Sequence, residues 1–348
     1  MLYENIFTGL FLIAVGAFSS GSFAMPFGKI SGWKWESYWL IYSIAAYILF
    51  PLIACLVFAP GFFSIYKEVP SGVIIRVFLL GVVYGIGNLS FGLSLRYLGI
   101  SLGYALSLGL MLAIGTLIPP LLDGRLREMI ESSGGTLLII GVLVSCIGIA
   151  ISGWAGLLKD RIISDIEKKK SITEFNLLKG ILAALLVGIT GSAMSLGFEQ
   201  GVPVAQFAEV AGTDPLFSTM PVMLLILSGT MITTIIWCIW LGIKNNSLRD
   251  YITVDKSSKL SLNYLFAVIA GFLWFSQFIL YGMGKSKMGA YTFTSWGILM
   301  ALTIVFASVW GLYRKEWKGA PLKIFILMII SLLIIIGSSF MIGISGSL

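Results

Sequence analysis

Residues 73–95 read VIIRVFLLGVVYGIGNLSFGLSL, an apolar stretch with a single charged side chain, Arg76. A helix needs about 20 such residues to cross roughly 30 Å of hydrocarbon. Comparable stretches recur along the chain, in which 58% of residues are hydrophobic and 11% are charged, unlike a water-soluble domain. The sequence therefore predicts an all-α integral membrane protein with ten transmembrane helices. Their approximate bounds are 6–24, 38–58, 73–95, 97–119, 134–154, 177–198, 216–242, 262–283, 289–313 and 322–346.

The glycine and aromatic pattern of residues 81–99 recurs, with the same spacing, in residues 271–289. The matched positions are Gly81, Tyr84, Phe91-Gly92 and Gly99 in the first copy and Gly271, Trp274, Tyr281-Gly282 and Gly289 in the second. This predicts a first five-helix half at 1–155, a basic cytoplasmic connecting loop at 156–176 and a second half at 177–348, in one membrane domain. Because five is odd, the second half enters the membrane inverted, as in many secondary transporters. The alternative is a chance match between two apolar sequences.

Basic residues are distributed unevenly among the predicted loops. Counted from the N-terminus, the odd-numbered loops carry most of the 23 lysines and arginines, including Lys168 to Lys170. By the positive-inside rule these loops face the cytoplasm, which places both termini on the outer side. The net charge of +7 is then explained by topology and by lipid headgroups, and nucleic-acid binding is not expected.

Polar side chains at mid-membrane depth mark a candidate binding site, because an unsatisfied polar group is costly in hydrocarbon. They form one face on each of two helices: Tyr84, Asn88 and Phe91 on the third, and Trp274, Gln277 and Tyr281 on the eighth. If the two faces meet across a cavity, amide and phenol groups lie beside an indole. This combination suits the hydroxyls and the apolar face of a sugar. The alternative is that the two amides only tie helices together.

Coupling to a proton would require a carboxylate, because the chain contains no histidine. The candidates are Glu36, which opens the second helix, Glu199, which closes the sixth, and Asp214, which opens the seventh. A carboxylate partly buried in an apolar bundle has a raised pKa and could exchange a proton at cellular pH. For Asp214, which precedes Pro215, helix capping is the simpler explanation. No metal or other cofactor is expected, since a proton gradient would supply the energy.

Other functional classes fit the sequence less well. An integral-membrane enzyme such as a prenyl or acyl transferase would need clustered aspartates or a histidine base, and the sequence has neither. The chain is therefore not expected to be an enzyme. The alternative to sugar import is a transporter that carries another small molecule, such as another sugar, an amphipathic drug or an amino acid, or that exports its substrate.

Seven short motifs point to a known family. They are Trp33-Lys34-Trp35-Glu36, Gly85-Ile86-Gly87-Asn88, Leu95-Arg96-Tyr97-Leu98-Gly99, Ile114-Gly115-Thr116-Leu117, Glu174-Phe175-Asn176, Trp274 with Gln277-Phe278, and Lys315-Glu316-Trp317. In order and spacing they resemble the bacterial L-rhamnose-proton symporters, over almost the whole chain.

This resemblance implies the drug/metabolite transporter fold, with two inverted five-helix halves. It also implies proton-driven uptake of L-rhamnose, or of a closely related sugar, across the bacterial inner membrane. The implied partners are the sugar, H⁺ and membrane lipid, with no obligate protein partner. The resemblance favours Glu36, Asn88, Trp274 and Gln277 as functional residues without assigning their roles.

Two positions depart from the family pattern. Lys285 stands about where better-known members have a histidine after the eighth helix, and Tyr84 stands where they have tryptophan. A histidine-dependent proton step is therefore excluded in this chain. The change at Tyr84 alters one wall of the expected cavity and leaves the exact sugar open.

Overall fold

The computed structural model describes residues 6–122, 124, 127, 131–162, 174–252, 259–288 and 295–345. Within these ranges the chain is helical, with short turns and no strand. The helices are α1 (Ile6–Ser22), α2 (Trp35–Ser43), α3 (Phe50–Phe58), α4 (Phe62–Glu68), α5 (Ser71–Leu98), α6 (Ile100–Leu122), α7 (Ser133–Ile162), α8 (Leu177–Gly191), α9 (Ala193–Gln200), α10 (Val202–Val210), α11 (Met220–Lys244), α12 (Leu260–Lys285), α13 (Ser295–Tyr313) and α14 (Leu322–Ser345). Lys168 to Lys170 and Gly289 lie outside the described residues.

Seven helical segments of the described chain are long and apolar enough to cross a membrane. They are Trp35–Phe58, Ser71–Leu98, Gly134–Lys159, Leu177–Val210, Pro215–Lys244, Leu260–Lys285 and Leu322–Ser345. Three further apolar helices are shorter: Ile6–Ser22, Ile100–Ile114 and Ile298–Tyr313. Each of the ten apolar stretches of the sequence overlaps one of these segments. The prediction of a multi-pass helical membrane protein is confirmed, while the number of crossings stays a prediction.

The helix that begins at Trp35 changes its winding halfway along. Between α2 and α3, residues Ile44–Leu49 form a π-helical turn, and the Phe50 amide donates to the Ala45 carbonyl five residues back. Pro51 follows at the start of α3. Because proline has no N–H, it removes the donor that an α-helix would supply to the Tyr47 carbonyl. The wider turn therefore coincides with a local defect in the helical hydrogen-bond ladder.

The boundary between α5 and α6 is set by Gly99. Its φ of 83° lies in the left-handed region, which glycine enters without steric cost. The Gly99 amide still donates to the Leu95 carbonyl at 3.0 Å, which completes the last turn of α5. A new helix axis can then begin at Ile100, so the two neighbouring apolar stretches form two helices.

Contacts group the described residues into two compact units. The first takes its residues from Met1–Gly21, Gly87–Ser192 and Met283–Leu348, and the second from Ser22–Ile86 and Ala193–Gly282. Each unit therefore contains segments from both predicted halves of the chain. The inverted five-helix repeat itself stays a prediction.

Within the first unit, α14 packs along α7, and α6 packs against α7, α8 and α13. Its core is formed by aliphatic side chains together with Trp317. The buried members include Leu98, Leu102, Leu106, Ile304, Met328 and Ile335.

Within the second unit, α5 and α11 approach so closely that glycine is required on both helices. A methyl group on Gly81 would overlap the Ile226 carbonyl oxygen, and one on Gly229 would overlap the Phe78 carbonyl oxygen. At the same crossing the Thr230 hydroxyl donates to the Gly81 carbonyl at 3.0 Å. Small residues and hydroxyl-to-carbonyl hydrogen bonds are the usual means of joining helices in lipid.

Candidate functional site

Trp274 and Gln277 lie one turn apart in α12, within the second unit, and both are about 5% exposed. The Trp274 ring stands edge-to-face against Tyr47, with centroids 5.3 Å apart, and against Phe278 at the same distance. The Gln277 amide nitrogen donates to the Trp274 carbonyl at 2.8 Å. This bond lies within one helix, so it does not tie two helices together. Tyr281, one turn further along, is half-buried.

The three candidates on α5 are divided between the two units. Tyr84 belongs to the second unit and is half-buried, whereas Asn88 and Phe91 belong to the first and are buried. The Phe91 ring lies edge-to-face against Tyr104 at 5.1 Å. Tyr84 interacts electrostatically with the hydroxyl of Tyr47, the same residue that packs against Trp274. Tyr84 and Trp274 therefore share a neighbour, while a single cavity lined by both helical faces stays a prediction.

Glu36 is the buried carboxylate among the three proton-coupling candidates. It lies in the first turn of α2 and is 1% exposed. Its Oε1 atom accepts hydrogen bonds from Asn245 Nδ2 at 2.8 Å and from Ser247 Oγ at 2.7 Å. Both donors follow α11 closely in sequence. One buried carboxylate oxygen therefore joins the first turn of α2 to the residues that follow α11.

A second carboxylate reinforces this junction. Asp250 Oδ2 accepts from the Lys34 amide at 2.9 Å and from Ser37 Oγ at 2.7 Å. Glu36 and Asp250 thus connect the start of α2 to the segment between α11 and α12 by hydrogen bonds. Asn263 adds a reciprocal pair of bonds with the Ser31 backbone, at 3.2 Å and 2.8 Å.

The other two coupling candidates are exposed at the surface of the protein. Asp214 Oδ1 accepts from the Leu216 amide at 2.8 Å and caps the short 3₁₀ turn Pro215–Phe217. Asp214 therefore caps a turn, and a role for it in proton coupling stays a prediction. Glu199 lies near the end of α9 and is exposed. Of the three, Glu36 alone meets the requirement of burial.

Glu316 is a buried acid that sequence reasoning passed over as a loop residue. It is 3% exposed, and its two oxygens accept from the Ile100 amide at 2.8 Å and the Ser101 amide at 3.0 Å. It therefore caps the start of α6 from a distant part of the chain. The motif Lys315-Glu316-Trp317 was the available signal, but its spacing does not reveal which helix it reaches.

A buried lysine accompanies Glu316. Lys159 is 3% exposed, and its ammonium lies 4.7 Å from the centroid of Trp317 and 5.5 Å from that of Phe175. Burial raises the pKa of the Glu316 carboxyl, while the two amides, Lys159 and Arg314 lower it. The arrangement brings side chains from α7 and from the segment between α13 and α14 to the start of α6.

Apolar helices of membrane-crossing length, with an indole, an amide and a carboxylate buried among them, are the features of a multi-pass membrane transport protein. The family model for L-rhamnose-proton symport protein (RhaT) matches residues 2–347. The chain therefore belongs to this family, whose members are symporters and not enzymes.

Curated relatives extend over nearly the whole chain. The L-rhamnose-proton symporter of Mannheimia succiniciproducens is 34% identical over 342 residues, which cover 97% of this chain and 98% of the relative. Those of Yersinia pestis and Yersinia pseudotuberculosis are 33% identical over 341 residues, with 97% of each chain covered. No solved structure matches the chain.

Proposed function

We propose that this protein is a secondary active transporter that imports L-rhamnose, or a closely related sugar, together with a proton. The curated relatives that carry the name L-rhamnose-proton symporter support this proposal by their identity over 97% of the chain. The structural observation that carries it is the buried pair of Trp274 and Gln277 within a membrane-crossing helix. An indole face packs on the C–H face of a sugar ring, and an amide bonds to hydroxyls.

The proposed sugar site comprises six side chains on α5 and α12, two of them amides and four of them aromatic. They are Tyr84, Asn88, Phe91, Trp274, Gln277 and Tyr281. Asn88, Trp274 and Gln277 are buried, which supports this assignment. A polar group is costly inside a membrane, so its presence there indicates a function.

Glu36 is the proposed proton carrier. As an anion it accepts from Asn245 and Ser247, and protonation would remove one acceptor position from this junction. Proton binding would thereby change the connection between the start of α2 and the end of α11. Glu199 and Asp214 are exposed, so a proton on either would have little effect on buried contacts.

The architecture proposed for the transport cycle is that of the drug/metabolite transporter superfamily. Ten helices form two inverted halves of five, both termini lie on the periplasmic side of the inner membrane, and alternating access exposes one site to each side in turn. The distribution of basic residues supports the orientation, and the matched positions in residues 81–99 and 271–289 support the repeat.

Uptake of labelled L-rhamnose into proteoliposomes tests the function. An inward proton gradient should raise both the initial rate and the accumulated amount above those of liposomes without a gradient. A proton ionophore should abolish this difference, and replacement of sodium by potassium should not. Uptake that ignores the proton gradient would overturn the symport proposal, and accumulation of a different sugar would correct the substrate alone.

A further inference from the structure

We propose that Tyr47, on the π-helical turn Ile44–Leu49, is a further sugar-binding residue whose hydroxyl bonds to the C2, C3 or C4 hydroxyl of the sugar beside the Trp274 ring. The inference rests on the proposed sugar site and adds to it a helix that sequence reasoning left out. All of the residues that carry it belong to the second unit.

The first observation is the local backbone. A π turn is rare and is found mostly as a single widened turn at functional sites, where it displaces side chains from the positions of a regular helix. Here it occupies the middle of the membrane-crossing segment Trp35–Phe58, and Tyr47 lies within it. Pro51 leaves the Tyr47 carbonyl without its α-helical donor. The sequence itself, through Pro51, therefore provides a cause for the wide turn, and no ligand is needed to explain it.

The second observation is the chemistry around the Tyr47 side chain. Its ring is 5.3 Å from Trp274 and 5.8 Å from Tyr42, both edge-to-face. The polar side chains in the surroundings of its hydroxyl are those of Tyr42, Ser43, Tyr84 and Cys238. Several hydroxyl groups thus gather beside an indole, inside a helix bundle where polar groups are scarce. A polyhydroxylated ring with one apolar face is the ligand class that matches both parts.

The third observation explains why Trp274 lies next to the π turn. A methyl group on Gly271, one turn before Trp274 in α12, would lie 2.6 Å from Ala45 Cβ and 2.9 Å from the Tyr42 carbonyl oxygen. The absence of a side chain at Gly271 therefore allows α12 to lie directly against the turn. The same glycine is one of the positions repeated from Gly81, so the close approach belongs to the repeated pattern.

Tyr47 is fully buried in this structure. A binding residue of an alternating-access transporter passes through states that are closed to water, and burial is what such a state requires. In the proposal, a hydroxyl group of the sugar becomes a hydrogen-bond partner of the Tyr47 hydroxyl.

The test is the variant Y47F, purified in detergent, with L-rhamnose affinity measured by quenching of tryptophan fluorescence. Loss of one hydrogen bond should weaken binding by roughly two- to tenfold. The matched control is Y66F, which removes another hydroxyl of the second unit, one that donates to the Pro221 carbonyl at 2.7 Å. This control should leave the affinity unchanged.

The 2-deoxy, 3-deoxy and 4-deoxy forms of L-rhamnose separate binding from a structural role. Wild type and Y47F should bind one of these analogues equally, because it lacks the hydroxyl that Tyr47 contacts, and should differ for the other two. An equal loss for L-rhamnose and all three analogues, or no loss at all, would overturn the role of Tyr47. Failure of the wild type to bind L-rhamnose would instead count against the proposed function.

If Y47F does not fold, thiol protection provides a second measurement. Y47C in a chain without Cys55, Cys146 and Cys238 is treated with a small alkylating reagent in membranes. L-Rhamnose should slow the labelling, whereas an equal concentration of a sugar that is not transported should not. Labelling that is absent or indifferent to L-rhamnose would contradict the inference.

Discussion

Glu36 and Glu316 show two ways in which a buried carboxyl group can be hydrogen-bonded. Glu36 is bonded by side-chain donors, which can rearrange, and Glu316 is bonded by two backbone amides at a helix start, which are fixed. A carboxylate with adjustable partners is better suited to a protonation cycle, since a change of charge must alter its contacts. A carboxylate with fixed partners is better suited to holding a helix end.

The replacement Glu36→Gln should uncouple transport from the proton gradient. The neutral amide has nearly the same shape but carries no exchangeable charge. Gradient-driven accumulation of L-rhamnose should fall at least about tenfold, as expected if a buried acid carries the proton. Counterflow exchange, which needs no net proton movement, should persist in the same proteoliposomes.

The exposed acids provide the controls for this measurement. Glu199→Gln and Asp214→Asn remove the same charge from exposed positions and should retain accumulation. If Glu36→Gln still accumulates sugar while one of these two does not, the proton carrier has been assigned to the wrong residue.

Glu316 should make thermal stability depend on pH in a particular direction. Its pKa is raised by burial, so the native protein binds more protons than the unfolded chain above about pH 4.5. Its contribution to stability is therefore fully present at low pH and is lost as the pH rises through the raised pKa. The melting temperature of the wild type relative to Glu316→Gln should fall as the pH rises above about 4.5.

Glu174 is the matched control for this pH series. It pairs with Arg96 at 2.6 Å on an exposed surface, where an ion pair contributes little. Glu174→Gln should track the wild type at every pH. A difference between wild type and Glu316→Gln that grows with pH in favour of the wild type would contradict the assigned direction.

The helices themselves are where sequence reasoning was most reliable. Long apolar stretches predict membrane helices because no other local structure satisfies the backbone in lipid. The capping role of Asp214 was also predictable, because an aspartate directly before a proline is typical of the start of a helical turn. The π turn around Tyr47 was not, because residues 38–58 show one continuous apolar pattern, in which Pro51 indicates a defect in the helix without specifying how the helix winds around it.

The crossing of α5 and α11 yields a prediction about packing. Gly81→Ala places a methyl group against the Ile226 carbonyl, which the helix backbone can relieve only by moving. Overpacking of this kind costs about 1 to 3 kcal/mol and more where backbone must shift. The variant should lose a clear fraction of its thermal stability in detergent. Gly72→Ala, in the first turn of the same helix, meets nothing within 4 Å and should be neutral or slightly stabilising.

Equal melting temperatures for Gly81→Ala and Gly72→Ala would show that the two helices are farther apart than the structure has them. Gly229→Ala repeats the test from the other helix, against the Phe78 carbonyl. Since the two glycines share one crossing, the double variant should lose less than the sum of the single losses.

For the molecule as a whole, the sequence predicted that the helices lie in lipid and which family the chain resembles. It did not predict which segments form each of the two units. Hydropathy reports whether a segment lies in lipid and is silent on which segments pack together. Residues 87–98 and 71–86 belong to one unbroken helix yet to different units, a division that no composition change marks. For the same reason Glu316 was missed, because its partners Ile100 and Ser101 are more than two hundred residues away along the chain.

The orientation in the membrane can be measured with single cysteines. In a chain without its native cysteines, K67C lies in an even-numbered loop and K318C in an odd-numbered one, and both side chains are exposed. A membrane-impermeant thiol reagent should label K67C in intact spheroplasts and leave K318C unlabelled. Inside-out vesicles should give the reverse result. Labelling of K318C from the outside would reverse the predicted topology.

The assignment of distant segments to one unit also bears on biosynthesis. Gly9 lies against Gly284, and Gly21 against Phe306, so α1 completes its packing only with residues near the other end of the chain. The ribosome releases α1 long before it reaches these partners, and neither half of the polypeptide contains a complete unit. The nascent N-terminal helix must therefore be held at the insertion machinery or in lipid until translation is almost finished.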